Sequence, residues 1–251
     1  AVGDRLGVRV RRRLEASSVK ALASALVLMA AIGASPVVAR AETADYASKE
    51  SWSPEGYLLS LGVGAYRPDP GSSAFDLVYS GNGPLLLPEF DFFLYRIPFV
   101  GPIGIGIAGG WAGYKGTACL ASSPPGTCLP SNDSAKFSLF PINAMVILRI
   151  DALARRTPVP LVFSGKVGYN TVFFKETVGA GKSTGRSHGF GWAAQLALEL
   201  NFINARRANA LDEDWGINSS FFFFEIAGSD ANNRAPVGDK LYFTGGVGIT
   251  F

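Results

Sequence analysis

In residues 191–202, "GWAAQLALELNF", Trp192, Ala194, Leu196, Leu198, Leu200 and Phe202 share one parity, and Ala193, Gln195, Ala197, Glu199 and Asn201 share the other. A period of two marks a β-strand, because successive side chains point to opposite faces of the pleated backbone. Seven further segments alternate in the same way. "YLLSLGVGAYR" sets Leu59, Leu61 and Val63 against Ser60, Gly62 and Gly64, and "PEFDFFLYR" sets Phe90, Phe92 and Leu94 against Glu89, Asp91, Phe93 and Tyr95. "IPFVGPIGIGIAGGWAG" sets Ile103, Ile105, Ile107 and Trp111 against Gly104, Gly106, Ala108 and Gly110. "KFSLFPINAMVILR" opposes Phe140, Ile142 and Val146 to Asn143, Met145 and Arg149, and "PLVFSGKVGYNTVF" opposes Phe163, Val167 and Tyr169 to Ser164, Lys166 and Asn170. "INSSFFFFEIAG" is ambiguous in phase until Glu225 is turned inward, which sends Phe222, Phe224 and Ile226 outward. "KLYFTGGVGITF" alternates Leu241, Phe243, Val247 and Ile249 with Tyr242, Thr244, Gly246 and Gly248.

The polarity of the two faces decides the fold class. In a soluble sandwich the apolar parity meets a second sheet and the other parity is charged and solvated. Here the second parity is Gly, Ala, Ser, Thr, Asn and Gln with a few charges, which suits a narrow enclosed interior, while the continuous apolar parity suits lipid. The sequence therefore predicts an all-β fold, an eight-stranded antiparallel up-and-down transmembrane β-barrel over residues 56–251. Closing the sheet leaves no unpaired backbone edge in the hydrocarbon layer. Connections expected at 68–86, 116–135, 175–189 and 228–239 are long, and that at 97–102 is short. This pattern places the long loops outside the cell and both termini in the periplasm. "INARRANALDEDWG" is long for a periplasmic turn, and its composition favours a short helix. Tyr57, Tyr66, Trp111, Tyr114, Tyr169, Trp192, Trp215 and Tyr242 lie near strand ends and are candidates for interfacial girdles.

The first 41 residues read as an export signal. A basic stretch with Arg5, Arg9, Arg11, Arg12, Arg13 and Lys20 precedes the apolar run "ALASALVLMAAIGASPVV" and the small-residue ending "ARA". A membrane anchor helix is the alternative, disfavoured by Ser24, Ser35 and Pro36. Residues 42–55 are then a short periplasmic lead-in. Of 23 Lys plus Arg and 20 Asp plus Glu in the chain, residues 1–41 carry seven and two, which leaves 16 basic and 18 acidic residues. The basic balance thus belongs to the leader and gives no support for nucleic-acid binding. Cys119 and Cys128, in "CLASSPPGTC", read as a disulfide staple in an oxidising compartment, since no nearby His or third Cys completes a metal set.

Over roughly residues 55–251 the chain resembles the broad group of small eight-stranded outer-membrane barrels, the OmpA-type, OmpX and OmpW domains. More narrowly, "PVPLVFSGKVGYN", "LDEDWGINSSFFFFEIAG" and "LYFTGGVGITF" resemble a barrel family common in myxobacteria. That likeness implies an outer-membrane protein of a Gram-negative envelope, monomeric and cofactor-free, surrounded by lipid and lipopolysaccharide. It also implies that the terminal Phe251 serves as an assembly signal for the barrel assembly machinery. Relative to full-length OmpA, no peptidoglycan-binding domain is expected after the last strand.

Three sets of residues bear on activity. "VGAGKST" (178–184) resembles a phosphate-binding loop, but the glycine needed five positions before Gly181 is Glu176 and no helix follows, so no nucleotide is expected. It reads as a flexible surface loop, with Lys182 and Arg186 placed to meet lipopolysaccharide phosphates. The single histidine, His188, adjoins Ser187 at the outer rim. Neighbouring strand residues face opposite ways, so they cannot pair directly, and the protein is read as no enzyme. The inward charges Glu89, Asp91, Arg149, Lys166, Glu199 and Glu225 must pair in an enclosed interior, with Lys166 and Glu199 a first candidate pair. The resulting expectation is a structural or surface-interaction role. A narrow channel for ions or small solutes, apolar ones included, is the alternative, and a lipid-modifying enzyme the third reading.

Overall fold

The computed structural model describes residues 55–251 except 69–72, 80–82 and 125. The export signal and most of the lead-in lie outside the described residues. The chain runs β1 (Tyr57–Tyr66), α1 (Ser73–Val78), β2 (Gly83–Ile97), β3 (Gly101–Gly109), β4 (Trp111–Cys119), β5 (Pro130–Ile150), α2 (Ala152–Arg156), β6 (Leu161–Val178), β7 (Gly181–Glu199), α3 (Ala205–Trp215), β8 (Ser219–Ser229) and β9 (Tyr242–Thr250). Every pairing is antiparallel, and β1 pairs with both β2 and β9, so the sheet closes on itself. At the seam the carbonyl of Phe251 accepts from Gly56 and Tyr57, and Phe251 N–H donates back to Tyr57.

Nine named strands make eight crossings. The segments β3 and β4 are one strand interrupted at Gly110, whose N–H still donates to Pro141 of β5 at 2.7 Å. Parity survives the interruption, since Ala108, Ala112 and Tyr114 all face inward.

The alternation sorts as the sequence predicts. Val63, Ile107, Val167 and Val247 are each more than half exposed on the outward face, whereas Ser60, Asn143, Lys166, Gln195 and Glu225 are buried inside. A contiguous apolar surface of this extent has no stable place in water, and it forms the lipid-facing band of a transmembrane barrel.

Four local expectations are corrected. Strand β2 begins at Gly83, so Pro84 to Leu86, expected in a loop, pair with β1. A bulge between Phe93 and Tyr95 rotates Tyr95 outward, to 62% exposure, although its parity placed it inside. Residues 175–189, expected as a loop, continue the β6–β7 hairpin in unbroken register to Val178↔Gly181. "VGAGKST" is therefore the tip of a paired ribbon, reversing at Gly179 with a φ of +53°. Finally, Tyr66, Tyr114 and Tyr242 do not join a girdle; they are buried in the interior. The helix expected in "INARRANALDEDWG" is α3.

Three connections (97–101, 151–160 and 200–218) and both ends of the barrel sequence lie at one end, called here the turn end. The other four lie at the loop end, where Cys119 and Cys128 form a disulfide.

Candidate functional site

The interior is layered along the barrel axis. At the turn end, Arg149 of β5 is fully buried, with Nη2 3.5 Å from Glu199 of β7 and Nε 3.8 Å from Glu55. Its guanidinium lies 5.2 Å from the ring centre of Phe221. Glu55 also meets Arg155 of α2 at 3.1 Å, and Asp151 joins Arg155 at 2.7 Å to Arg96 at 2.5 Å. Alternating charges thus run from the buried Glu199 out to the partly exposed Arg96.

The second layer centres on Lys166 of β6. Its ammonium donates at 2.7 Å to Glu89 of β2 and at 2.7 Å to Glu225 of β8, which crosses the whole lumen. Asp91 is the next inward residue of β2, and its carboxylate occupies space that only a glycine leaves free: a Cβ at Gly106 would stand 2.2 Å from Asp91 Oδ1. All six inward charges are thus within the barrel, in two groups. The candidate pair Lys166–Glu199 does not form. Lys166 lies level with Ala193, six residues from Glu199 along β7, or about 20 Å at the usual strand rise.

A neutral layer follows. Asn170 Nδ2 donates to Asn143 Oδ1, and Ser229 Oγ donates to Asn170 Oδ1 at 2.9 Å. Above it the loop end is filled by rings. Phe75 of α1 folds inward, 4.9 Å from Tyr79, 5.1 Å from Tyr114 and 5.6 Å from Phe137 between ring centres, and Phe137 stacks toward Phe174. Three buried phenols find partners: Tyr66 donates to the Val237 carbonyl, Tyr114 to that of Tyr66, and Tyr79 to Glu176. Burial and the Glu176 carboxylate push the Tyr79 phenol well above its ordinary range.

The inward glycines do not open a lumen. A Cβ at Gly248 would stand 2.3 Å from the Phe221 ring and one at Gly62 3.4 Å from Phe223, so these rings from β8 fill the room the glycines leave. Between the Lys166 layer and the plug, a space of about 10 Å³ is bordered by Glu89, Asn143, Ala193, Glu225 and Tyr242. That is room for one water molecule at most.

At the rim, Ser187 is fully buried on the inward face and its Oγ donates to Asn233 Oδ1 at 2.9 Å. His188 points outward, 5.6 Å from the Tyr169 ring, with Nε2 2.8 Å from Asn233 Nδ2. One asparagine of the β8–β9 connection ties both residues to that connection, and the two do not touch each other.

The sequence points to Lys182 and Arg186 but not to the cluster of cations around them. Extension of the strands beyond the apolar band places Lys115 directly opposite Lys136, with Lys175, Lys182 and Arg186 on the same outward face of β6 and β7. Its signal was lysine at outward parity on both sides of a turn, which becomes readable only when the turn is known to be tight.

No protein-family model matches the chain, and no curated protein matches it in sequence. Solved structures of similar fold are outer-membrane barrels. The outer membrane protein OprG of Pseudomonas aeruginosa aligns with a TM-score of 0.50 at 11% identity, over 80% of this chain and 97% of that one. The N-terminal β-barrel domain of OprF from the same organism gives 0.42 at 11% identity, over 79% and 100%. Ail, the attachment invasion locus protein of Yersinia pestis, gives 0.41 at 10% identity, over 79% and 100%. At these identities the likeness concerns the fold.

Proposed function

We propose that the protein is a sealed outer-membrane barrel whose contribution to the envelope is structural and surface-directed, with the loop end outside the cell and the turn end in the periplasm. One observation carries this reading: the interior is filled from end to end, by ion pairs, then amides, then aromatic rings. A channel needs a continuous wet path, and the space between the Lys166 layer and the plug holds about 10 Å³. Support for the outer membrane comes from the closed antiparallel topology with an apolar band, and from the export signal read in residues 1–41. The connection at 200–218 with its helix is the exception to short turns at the periplasmic end. Membership of the myxobacterial-type family rests on the three segments quoted above. On this reading Phe251, which follows β9 and whose backbone bonds to β1, is the residue recognised by the barrel assembly machinery.

A catalytic role for Ser187 and His188 is not favoured, because Ser187 Oγ is enclosed and His188 faces away from it. The decisive experiment is single-channel recording of the folded barrel in a planar bilayer. Silence with insertion independently verified is the expected result. Discrete steps altered by Lys166→Met would replace this reading with the channel. Orientation is tested by impermeant maleimide labelling of intact cells, which should reach Lys182→Cys at the hairpin tip and not Asn209→Cys on α3.

A further inference from the structure

The outward face of β4 to β7 changes character abruptly at its loop end. On β5 the lipid-facing residues are apolar from Ile150 to Phe140 and then become Ser138, Lys136 and Ser134; on β6 they are apolar or aromatic up to Phe173, Thr171 excepted, and then become Lys175 and Thr177. Cross-strand register stacks the residues beyond this boundary in rows. Phe140, Phe173 and Arg186 form the first, Ser138, Lys175 and Thr184 the second, and Lys115, Lys136, Thr177 and Lys182 the third. Successive rows are about 7 Å apart along the strands, and Lys136 and Lys182 stand two strands, about 10 Å, from each other.

The charges in these rows are one-sided. Among the described residues, Lys115, Lys136, Lys175, Lys182 and Arg186 are exposed and enter no ion pair, although ion pairs form elsewhere at the surface, as between Arg67 and Asp76. No carboxylate shares the outward parity of β4 to β7 beyond the boundary. Lys115 and Lys136 are direct cross-strand neighbours, an arrangement that is repulsive unless an anion lies between or over them. A sixth cation, Arg234 of the β8–β9 connection, borders a groove of about 480 Å³ lined also by Phe140, Phe173, Lys175, Gly185 and Arg186. The groove thus has aromatic walls toward the hydrocarbon and cations toward the headgroup level.

We propose that this face docks a multiply phosphorylated glycolipid of the outer leaflet, the lipid A part of lipopolysaccharide. Its phosphates lie on the lysine rows and its acyl chains continue down over Phe173 and Phe140. The inference deepens the proposed function and rests on its placement of the loop end outside the cell. Charge complementarity and continuity with the lipid-facing band select a lipid over a soluble anion. The spread of cations over three rows and four strands selects a headgroup with more than one phosphate over a simple phospholipid.

The test is a binding titration of the folded barrel in nonionic detergent with diphosphoryl lipid A. Parallel titrations use dephosphorylated lipid A, phosphatidylglycerol and inorganic polyphosphate. Diphosphoryl lipid A should bind tightest, and Lys115→Gln/Lys136→Gln/Lys182→Gln should weaken it on the order of a hundredfold. Lys240→Gln, on the β8–β9 connection, should change affinity by only a few-fold. All four positions are exposed, and circular dichroism on the same samples reports retention of the barrel. Equal binding by the triple variant, by dephosphorylated lipid A or by phosphatidylglycerol would overturn the proposal, as would polyphosphate binding as tightly as lipid A. Failure of the orientation itself would show separately, as absent labelling of Lys182→Cys on intact cells.

Discussion

The two halves of the interior solve the same packing problem by opposite chemistry. From the turn end to the middle, the lumen is filled by long charged side chains that reach across it, Arg149 from β5 and Lys166 from β6. From Asn143 to the loop end it is filled by amides and then by Phe75, Tyr79, Tyr114 and Phe137. The charged half depends on pairing: Arg149 and Lys166 each meet two carboxylates, and removal of one partner strands the other. The aromatic half depends on shape, since a plug of rings loses contact area when truncated but leaves no charge uncompensated.

The largest effect should come from Lys166→Met. Glu89 and Glu225 would each lose a 2.7 Å contact inside the barrel, and a destabilisation in the upper part of about 3–5 kcal/mol is expected. It can be measured as the urea midpoint of the barrel in lipid vesicles. Adding Glu89→Gln and Glu225→Gln to the same chain should recover most of the loss; no recovery would mean that Lys166 acts by filling space, and the contrast between the halves would fail. Phe137→Ala comes next, at about 3 kcal/mol, because the ring contacts Phe75, Tyr79, Tyr114 and Phe174 and is only 8% exposed. Its loss should not depend on the charge variants, since the Asn143–Asn170–Ser229 layer lies between.

Arg149→Met sharpens the comparison within the charged half. The contacts of Arg149 are longer than those of Lys166, at 3.5 and 3.8 Å, and Glu55 keeps Arg155 at 3.1 Å when Arg149 is removed. A cost of about 2 kcal/mol is expected, less than for Lys166. A cost equal to that of Lys166→Met would show that the run from Glu199 to Arg96 acts as one unit.

Most of the barrel is legible in the sequence because parity is a local property: the outward and inward residues of β7 can be read from "GWAAQLALELNF" alone. What depends on register is not. The partner of Lys166 could be assigned to Glu199 from strand adjacency, yet the pairing of β6 with β7 sets Lys166 opposite Ala193, and its carboxylates come from β2 and β8 across the lumen. The lysine rows were hidden for the same reason, since Lys115 and Lys136 meet only through the β4–β5 register. The plug was hidden because α1 precedes β2 in a stretch with no period to announce that Phe75 would turn inward. Tyr66, Tyr114 and Tyr242 looked like girdle residues by position, and the hydroxyl partners that hold Tyr66 and Tyr114 inside are backbone carbonyls.

The smallest effect tests how firmly the plug is latched. Tyr79 is 3% exposed and donates to Glu176 at 2.8 Å, tying the β1–β2 connection to β6. Tyr79→Phe keeps the ring packing and removes only this bond, so about 1 kcal/mol is expected. The pH dependence separates the bond from the packing. Because burial and Glu176 raise the folded-state phenol above the unfolded value of 10.0, the folded form holds its proton longer. The corresponding stability is complete below about pH 10 and falls as pH rises further, since the unfolded chain then binds fewer protons than the folded one. Tyr79→Phe should flatten part of that alkaline decline. An unchanged slope would place Glu176 outside the latch and leave α1 held by its rings alone.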